Sequence, residues 1–482
     1  MLMNRLIGRE AEIRRLNSCL NEEKAQLVIV YGRRRVGKTF LINQFFSGRF
    51  DFKLTGVYEA GREAQLYNFT AELNRQTQEN HRQPKHWAEA FGMLRDYLCS
   101  LPPEDKHIVF FDEMPWMDTA RSGFLPAFEY FWNDFGCAMN NLVFIVCGSA
   151  SSWMTQNLAD NHGGLFNRQT CSLYLQPFTL SETEAYLRSR DIIWSRYDIA
   201  ECYMILGGIP FYLSLLRQDL SLSENIDNLF FRKRAELWDE YDHLYRTLFR
   251  NSGQYIKVAE TLSGKKGGMP RAELASRSGI PANGELTRIL SDLEKSGFVR
   301  ATAFFNRKKK EERYALSDYY SLFYFHFLKD ARGRDEHFWT HTLDNPSKRA
   351  WAGLTFEQLC MDHVSQIKRK LGISGVLSEE SAWYVRGDEE KGVEGAQIDL
   401  LIDRRDRVIN LCEIKYSLNE FVIDREYDQR LRQKMAVFAQ ATGTAKTLQL
   451  TMITTFGVRK NQYSNLVGSQ VTLDDLFAGA GD

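Results

Sequence analysis

The stretch Leu27-Val28-Ile29-Val30-Tyr31-Gly32-Arg33-Arg34-Arg35-Val36-Gly37-Lys38-Thr39 constrains this chain more than any other. An apolar run that reads as a buried strand ends in the pattern G-x-x-x-x-G-K-T, and apolar Phe40, Leu41, Phe45 and Phe46 continue it as an amphipathic helix. Gly32 and Gly37 allow the backbone to curl so that successive N–H groups point at one anion, and the helix start adds the positive end of its dipole. Gly32, Arg33, Arg34, Arg35, Val36, Gly37, Lys38 and Thr39 are therefore the expected nucleotide-binding segment. Lys38 is expected to reach the β- and γ-phosphates and Thr39 to hold Mg²⁺, which makes ATP and Mg²⁺ the expected cofactors.

With 482 residues the chain exceeds what one hydrophobic core covers, and three domains are expected, at 1–220, 221–345 and 346–482. Lys+Arg and Asp+Glu balance at 62 each, so no overall charge announces a nucleic acid or a membrane. Any polyanion contact has to come from a local patch. The eight cysteines include no C-x-x-C pair and mostly sit in apolar runs, as reduced core cysteines do, which points to the cytoplasm. Neither a secretory apolar region near Met1 nor a bilayer-length apolar stretch is visible, so no membrane association is expected.

A second buried strand, Ile108-Val109-Phe110-Phe111, ends in Asp112-Glu113. Charge at the end of a buried strand is costly unless it is needed, so Asp112 is expected to steady the Mg²⁺ shell and Glu113 to orient or deprotonate the attacking water. A further strand is expected from Phe52 to Val57, helices over 62–79 and 87–100, an aromatic helix from Phe124 to Phe135, and a strand from Leu142 to Val146. Strands alternating with helices give a parallel sheet covered on both faces. Ser149, just past that last strand, reads either as a polar sensor of the γ-phosphate or as a helix N-cap. Arg168 reads either as an arginine finger or as a surface arginine.

Four segments together resemble the archaeal-type ATPases of the STAND branch of AAA-like proteins: Leu6-Ile7-Gly8-Arg9-Glu10, the loop from Gly32 to Thr39 (Walker A), the Asp112-Glu113 strand (Walker B), and Gly207-Gly208-Ile209-Pro210. The resemblance covers about the first 220 residues. It implies that Ile7 and Arg9 lie near the adenine and that the turn at Pro210 helps close the nucleotide pocket.

The middle of the chain reads as three helices, Tyr255 to Leu262, Arg271 to Ser278 and Gly284 to Ser296, followed by a hairpin whose tip is Arg307-Lys308-Lys309-Lys310. That order is a winged helix-turn-helix. From Tyr255 to Arg313 there are 13 basic against 7 acidic residues, the local surplus a neutral chain still permits. Arg288, Lys295 and the hairpin tip can grip DNA phosphates, or the element can act as a lid on the nucleotide domain; Glu285, Asp292 and Glu294 on the third helix keep both open.

The tail offers a second chemistry. Gln397 to Asp403 and Val408 to Lys415 read as two strands joined by a turn, with Glu413 and Lys415 on one face and Asp399 brought beside them. Asp399 and Glu413 can hold Mg²⁺ while Lys415 positions or activates water, the minimum for a metal-dependent phosphodiesterase. The pattern D-x(13)-E-x-K resembles that of PD-(D/E)XK nucleases, and Glu357, on a helix expected from Gly353 to Lys368, matches the acidic residue such restriction-endonuclease-like domains carry on their first helix. Gln397 stands where many relatives have an acid. Tyr427, Gln429, Arg430 and Lys434, on a helix near Asp424 to Ala439, can face substrate phosphates.

The expected fold is therefore α/β: a P-loop NTPase parallel sheet, a helical and winged-helix middle, and a C-terminal restriction-endonuclease-like α/β domain. The expected function is ATP hydrolysis coupled to a Mg²⁺-dependent nuclease-like domain acting on DNA. Its alternative is an ATP-driven signalling or scaffold switch whose tail binds nucleic acid or protein without cutting, and a sequence-reading transcription regulator ranks last because the third helix is acid-rich. DNA is the expected partner, and a homo-oligomer is compatible with either reading.

Overall fold

The computed structural model describes residues 6–159, 164–165, 168–249, 251–265, 267–306, 312–329, 335–342, 345–385, 387 and 395–479. They divide between two units, Met1–Pro177 and Phe178–Asp482.

The first unit is built on five parallel strands: β1 (Gln26–Gly32), β2 (Phe52–Thr55), β3 (His107–Asp112), β4 (Leu142–Gly148) and β5 (Cys171–Leu175). Helices α1 (Glu10–Asn21), α2 (Lys38–Phe45), α3 (Arg62–Thr77), α4 (Trp87–Ser100) and α5 (Phe124–Asp134) connect and flank them. β3 and β4 are buried at every position, and their apolar middles, Ile108 to Phe111 and Leu142 to Cys147, suit strands of a parallel sheet covered on both faces. One face is covered by an aromatic core in which Phe91 lies against Phe111, Phe124, Phe128 and Phe131 at ring separations of 5.2–6.0 Å. β5 has no counterpart among the expected strands. Its five residues Cys-Ser-Leu-Tyr-Leu alternate between buried and open, a weak pattern for so short an edge strand.

The strand order is β2-β3-β4-β1-β5. The chain leaves β1 for the far edge, returns through β3 and β4, and crosses to the other side of β1. Such a reversal opens a crevice at the carboxyl ends of the strands, where open α/β sheets bind their ligands.

The second unit starts with helices. Thr179 caps Leu180–Arg188 reciprocally with Glu182. Helix Arg196–Leu206 stops at Gly207 in a left-handed conformation, and Pro210 opens the next, Pro210–Ser214. Further on, helices Ser252–Ser263, Arg271–Ser278 and Gly284–Lys295 accompany a three-stranded sheet of β6 (Met269–Pro270), β7 (Val299–Thr302) and β8 (Arg313–Leu316), in the order β6-β8-β7. Its basic tip, Arg307 to Lys310, lies outside the described residues.

The tail sheet contains β9 (Ser378–Val385), β10 (Ala396–Arg404), β11 (Val408–Lys415), β12 (Thr447–Thr454) and β13 (Ser469–Thr472), in the order β13-β12-β11-β10-β9. β9, β10 and β11 pair antiparallel; β11, β12 and β13 pair parallel. The helix expected from Gly353 to Lys368 is two, Pro346–Asp362 and Val364–Lys370. They break at buried His363, whose Nδ1 meets the Leu359 carbonyl at 2.9 Å while its Nε2 accepts the Leu180 N–H at 3.2 Å.

The β7–β8 hairpin is joined to this sheet. The Phe305 N–H donates to the Ala382 carbonyl at 2.9 Å and the Ala382 N–H to the Ala303 carbonyl at 3.1 Å, so residues 303–305 cover the outer edge of β9. The Phe305 ring enters the tail core, 5.5 Å from that of fully buried Phe438. Arg313 lies over the Tyr384 ring at 4.3 Å. Among the described residues no helix is long and apolar enough to cross a membrane.

Candidate functional site

The carboxyl ends of β1, β4 and β3 set three groups of side chains in a row. β1 runs into the phosphate-loop sequence. A Cβ on Gly32 would lie 2.3 Å from the Leu175 carbonyl oxygen, so only glycine lets β5 pack there, and Gly37 has φ of 90° at the start of α2. Lys38 is buried, and its Nζ donates to the carbonyls of Gly32 (3.0 Å) and Arg33 (2.9 Å) and to Ser149 Oγ (3.0 Å). The Arg9 guanidinium donates to the Val36 carbonyl at 3.1 Å, which brings the Ile7-Gly8-Arg9 segment to the loop. Ile7 is half-buried, Arg33 buried, and Arg34 and Arg35 are half-buried.

Thr39 Oγ1 donates to the Asp112 carboxylate, 2.9 Å from Oδ2 and 3.1 Å from Oδ1. Burial raises the Asp112 pKa and the Glu113 charge raises it further, against hydrogen bonds from Thr39 and the Cys147 thiol and the charge of Lys38. Glu113 takes a left-handed backbone, φ 47° and ψ 46°, a conformation that costs a non-glycine residue about 1 kcal/mol and recurs at functional positions. Its carboxylate is gripped by one residue: the Ser149 amide donates to Oε2 at 3.0 Å and the Ser149 hydroxyl to Oε1 at 2.5 Å. Ser149 thus links Lys38 to Glu113.

Two contributors escaped sequence reading. Cys147, read as plain core, places its thiol against Asp112 from the end of β4. Gln65, on α3, has its amide bonded to both backbone groups of Val57 (2.8 and 3.1 Å) and to the Trp116 carbonyl (3.1 Å), fixing the turn that follows Glu113. Only its polar identity on a buried helix face could have flagged it. Arg168 is exposed in a turn closed by its own N–H on the Leu165 carbonyl. Pro210 belongs to the second unit.

In the tail, the β10–β11 ladder pairs Leu400 with Cys412 and stops one residue short of Asp399 and Glu413. β10 is also bulged against β9 between Ile398 and Leu401. Asp399 Oδ1 accepts the Gln397 amide at 2.6 Å. Glu413 is buried and fully engaged: Oε2 accepts Lys434 Nζ at 2.6 Å, and Oε1 accepts the Tyr427 hydroxyl at 2.5 Å and lies 3.0 Å from Lys415 Nζ. Burial works to raise the Glu413 pKa, but Lys434 and Lys415 more than reverse it. Tyr427 is held neutral, by burial first and by the Glu413 charge second. Tyr427 and Lys434 therefore face Glu413, and Arg430 lies over the Tyr427 ring at 5.0 Å.

Glu357 sits half-buried on helix Pro346–Asp362, whose Phe356 packs on Tyr416, just past β11, at 5.3 Å. Among the described residues, no three His, Cys, Asp or Glu side chains are arranged to hold a metal. Thr39 with Asp112 fits a magnesium ion, a hydroxyl and a buried carboxylate already in contact beside a phosphate loop. Glu357, Asp399 and Glu413 as arranged do not.

Residues 6–216 match a family described as an ATPase domain predominantly from Archaea, so the chain carries an archaeal-type P-loop ATPase domain. An uncharacterized protein of Methanocaldococcus jannaschii, MJECL04, is 22% identical over 414 residues, 85% of this chain and 87% of that protein. A second protein of that organism, the uncharacterized ATP-binding protein MJ0423, is 49% identical over 43 residues, 9% of this chain and 73% of its own length. Among solved structures, the Walker-type ATPase PABY2304 of Pyrococcus abyssi aligns with 67% of this chain and 96% of its own at a TM-score of 0.46 and 19% identity.

Proposed function

We propose that this protein binds ATP with Mg²⁺, hydrolyses it at Glu113, and uses the cycle to govern a second unit directed at DNA. The observation that carries the hydrolytic part is the chain of contacts Lys38–Ser149–Glu113 beside Thr39–Asp112. Lys38 would exchange its three protein oxygens for those of the β- and γ-phosphates. Thr39 and Asp112 would hold Mg²⁺, which supplies charge to offset that of the phosphates. Glu113, aimed by Ser149 and by the turn Gln65 fixes, would orient water for attack. Ile7, Arg9 and Pro210 are assigned to the nucleotide pocket by resemblance, and Arg168 to transition-state charge from its place after a glycine-bearing loop.

For the second unit we assign 221–345 to a winged-helix domain and 346–482 to a restriction-endonuclease-like domain with Asp399, Glu413 and Lys415 as its reactive set. The helix order and the mixed sheet support that assignment. The non-cleaving alternative, a nucleotide-driven switch that holds nucleic acid, draws support from one observation: both Glu413 oxygens are bound to the chain's own donors.

Steady-state ATP hydrolysis tests the first part. Glu113→Gln should keep nucleotide affinity and slow turnover by about 10²–10⁴-fold. Undiminished hydrolysis in that variant removes Glu113 from the reaction. Plasmid incubated with protein, Mg²⁺ and ATP tests the second part, with cleavage separating the two readings of the tail.

A further inference from the structure

Glu413 lies at the end of β11 with a neighbourhood that its proposed role does not call for. A carboxylate kept for a divalent ion needs a free oxygen and further oxygen ligands within reach. Here Lys434, about two turns beyond Tyr427 on helix Arg425–Thr442, sends its ammonium to Oε2, and Lys415 and Tyr427 share Oε1. Asp399, the nearest acidic candidate by register, spends an oxygen on Gln397.

We propose that Lys434 is a built-in cation that stands where a divalent ion would sit at Glu413, so that the tail as folded excludes metal until this lysine is withdrawn. The Lys434 ammonium on one buried carboxylate opposes the entry of a doubly charged ion, since the two cations would be brought close together in a poorly screened site. Tyr427 adds a donor that holds the carboxylate in the orientation facing Lys434. The arrangement also gives the buried carboxylate charge its compensation from the chain's own cations. This inference rests on reading the tail as nuclease-like, but its claim concerns metal binding alone.

The test is Mn²⁺ binding to the nucleotide-free full-length chain, followed by electron paramagnetic resonance of the free ion and by calorimetry. Lys434→Met keeps the aliphatic stem and removes the charge; it should gain one Mn²⁺ per chain, and adding Glu413→Gln should abolish that gain. Lys434→Arg keeps the charge and should gain none. Circular dichroism melting of each variant identifies any that fails to fold, in which case Lys434→Gln replaces the methionine variant in the same comparison. Wild-type chain that already binds Mn²⁺ in a Glu413-dependent manner overturns the proposal, and so does a folded Lys434→Met chain that binds none. A gained site without plasmid cleavage leaves the proposal standing and removes the nuclease reading. Cleavage by a wild-type tail that binds Mn²⁺ through Glu413 does the reverse.

Discussion

Phe305→Ala examines whether the β7–β8 hairpin is part of the tail core. The ring packs against the core that Trp383, Ile398, Leu401, Ile409, Leu411 and Phe438 form, 5.5 Å from the Phe438 ring, and its own N–H ties it to β9. Truncating a fully buried phenylalanine costs 3–5 kcal/mol, and half-buried Phe305 should lose roughly half, about 2 kcal/mol. At 1.4 kcal/mol per decade, that is about a 30-fold larger population of locally open tail sheet. Because a two-unit chain need not unfold in one step, a melting temperature is the wrong measure. Native-state hydrogen exchange is the right one: amides of β9 and β10 should lose about 30-fold in protection, while β1, β3 and β4 should not change. Protection unchanged within about threefold would show that the contacts at 303–305 contribute nothing and that the hairpin is free of the sheet. The same edge pairing removes an open strand that could otherwise recruit another chain, so the variant should also aggregate faster on warming.

Much of the first unit was legible because its signals are local. A phosphate loop requires glycines at fixed places, and a strand covered on both faces needs a continuous apolar middle, so β1, β3 and β4 declare themselves. Lys38, Thr39, Asp112 and Glu113 follow from those strands, at the carboxyl ends of β1 and β3 on either side of β4. What escaped depends on partners remote in sequence. Ser149 becomes the link between Lys38 and Glu113 only because β4 inserts between β1 and β3, a fact of strand order that no spacing encodes. Gln65 and Cys147 are similar: each is an ordinary residue until the chain closes around it. In the tail, the residue types at Asp399, Glu413 and Lys415 suggested an ion site, yet whether the oxygens are free depends on Lys434, 21 residues beyond Glu413, turning inward. Period-2 alternation cannot anticipate that, nor the bulge at Asp399, nor the edge cover that residues 303–305 provide.

Lys38→Ala should abolish ATP binding measured by calorimetry, because it removes the buried ammonium that sits on the loop carbonyls of Gly32 and Arg33; retained affinity would move the phosphates elsewhere. Ser149→Ala removes a charge-assisted hydrogen bond to Glu113 worth about 1.5–3 kcal/mol and should lower turnover about 10–100-fold with little change in nucleotide affinity; an unchanged rate would mean that Glu113 is aimed by other groups. Asp112→Asn should make the nucleotide-free chain more stable near neutral pH while abolishing Mg²⁺-dependent ATP binding. The sign follows from the raised pKa: burial and Glu113 disfavour the charged form, so the folded state holds the proton more tightly than the unfolded one. Stability is therefore lost as pH rises from the ordinary carboxylate range through the folded pKa, and stays lost above it. The asparagine variant carries no such charge, so its advantage in thermal melting should be present at pH 7.5 and fade as the pH drops below the ordinary carboxylate range. An advantage that persists unchanged in acid, or a loss of stability at pH 7.5, would mean that the Thr39 and Cys147 hydrogen bonds and the Lys38 charge outweigh burial, and that Asp112 is a structural anchor rather than a charge kept for an ion.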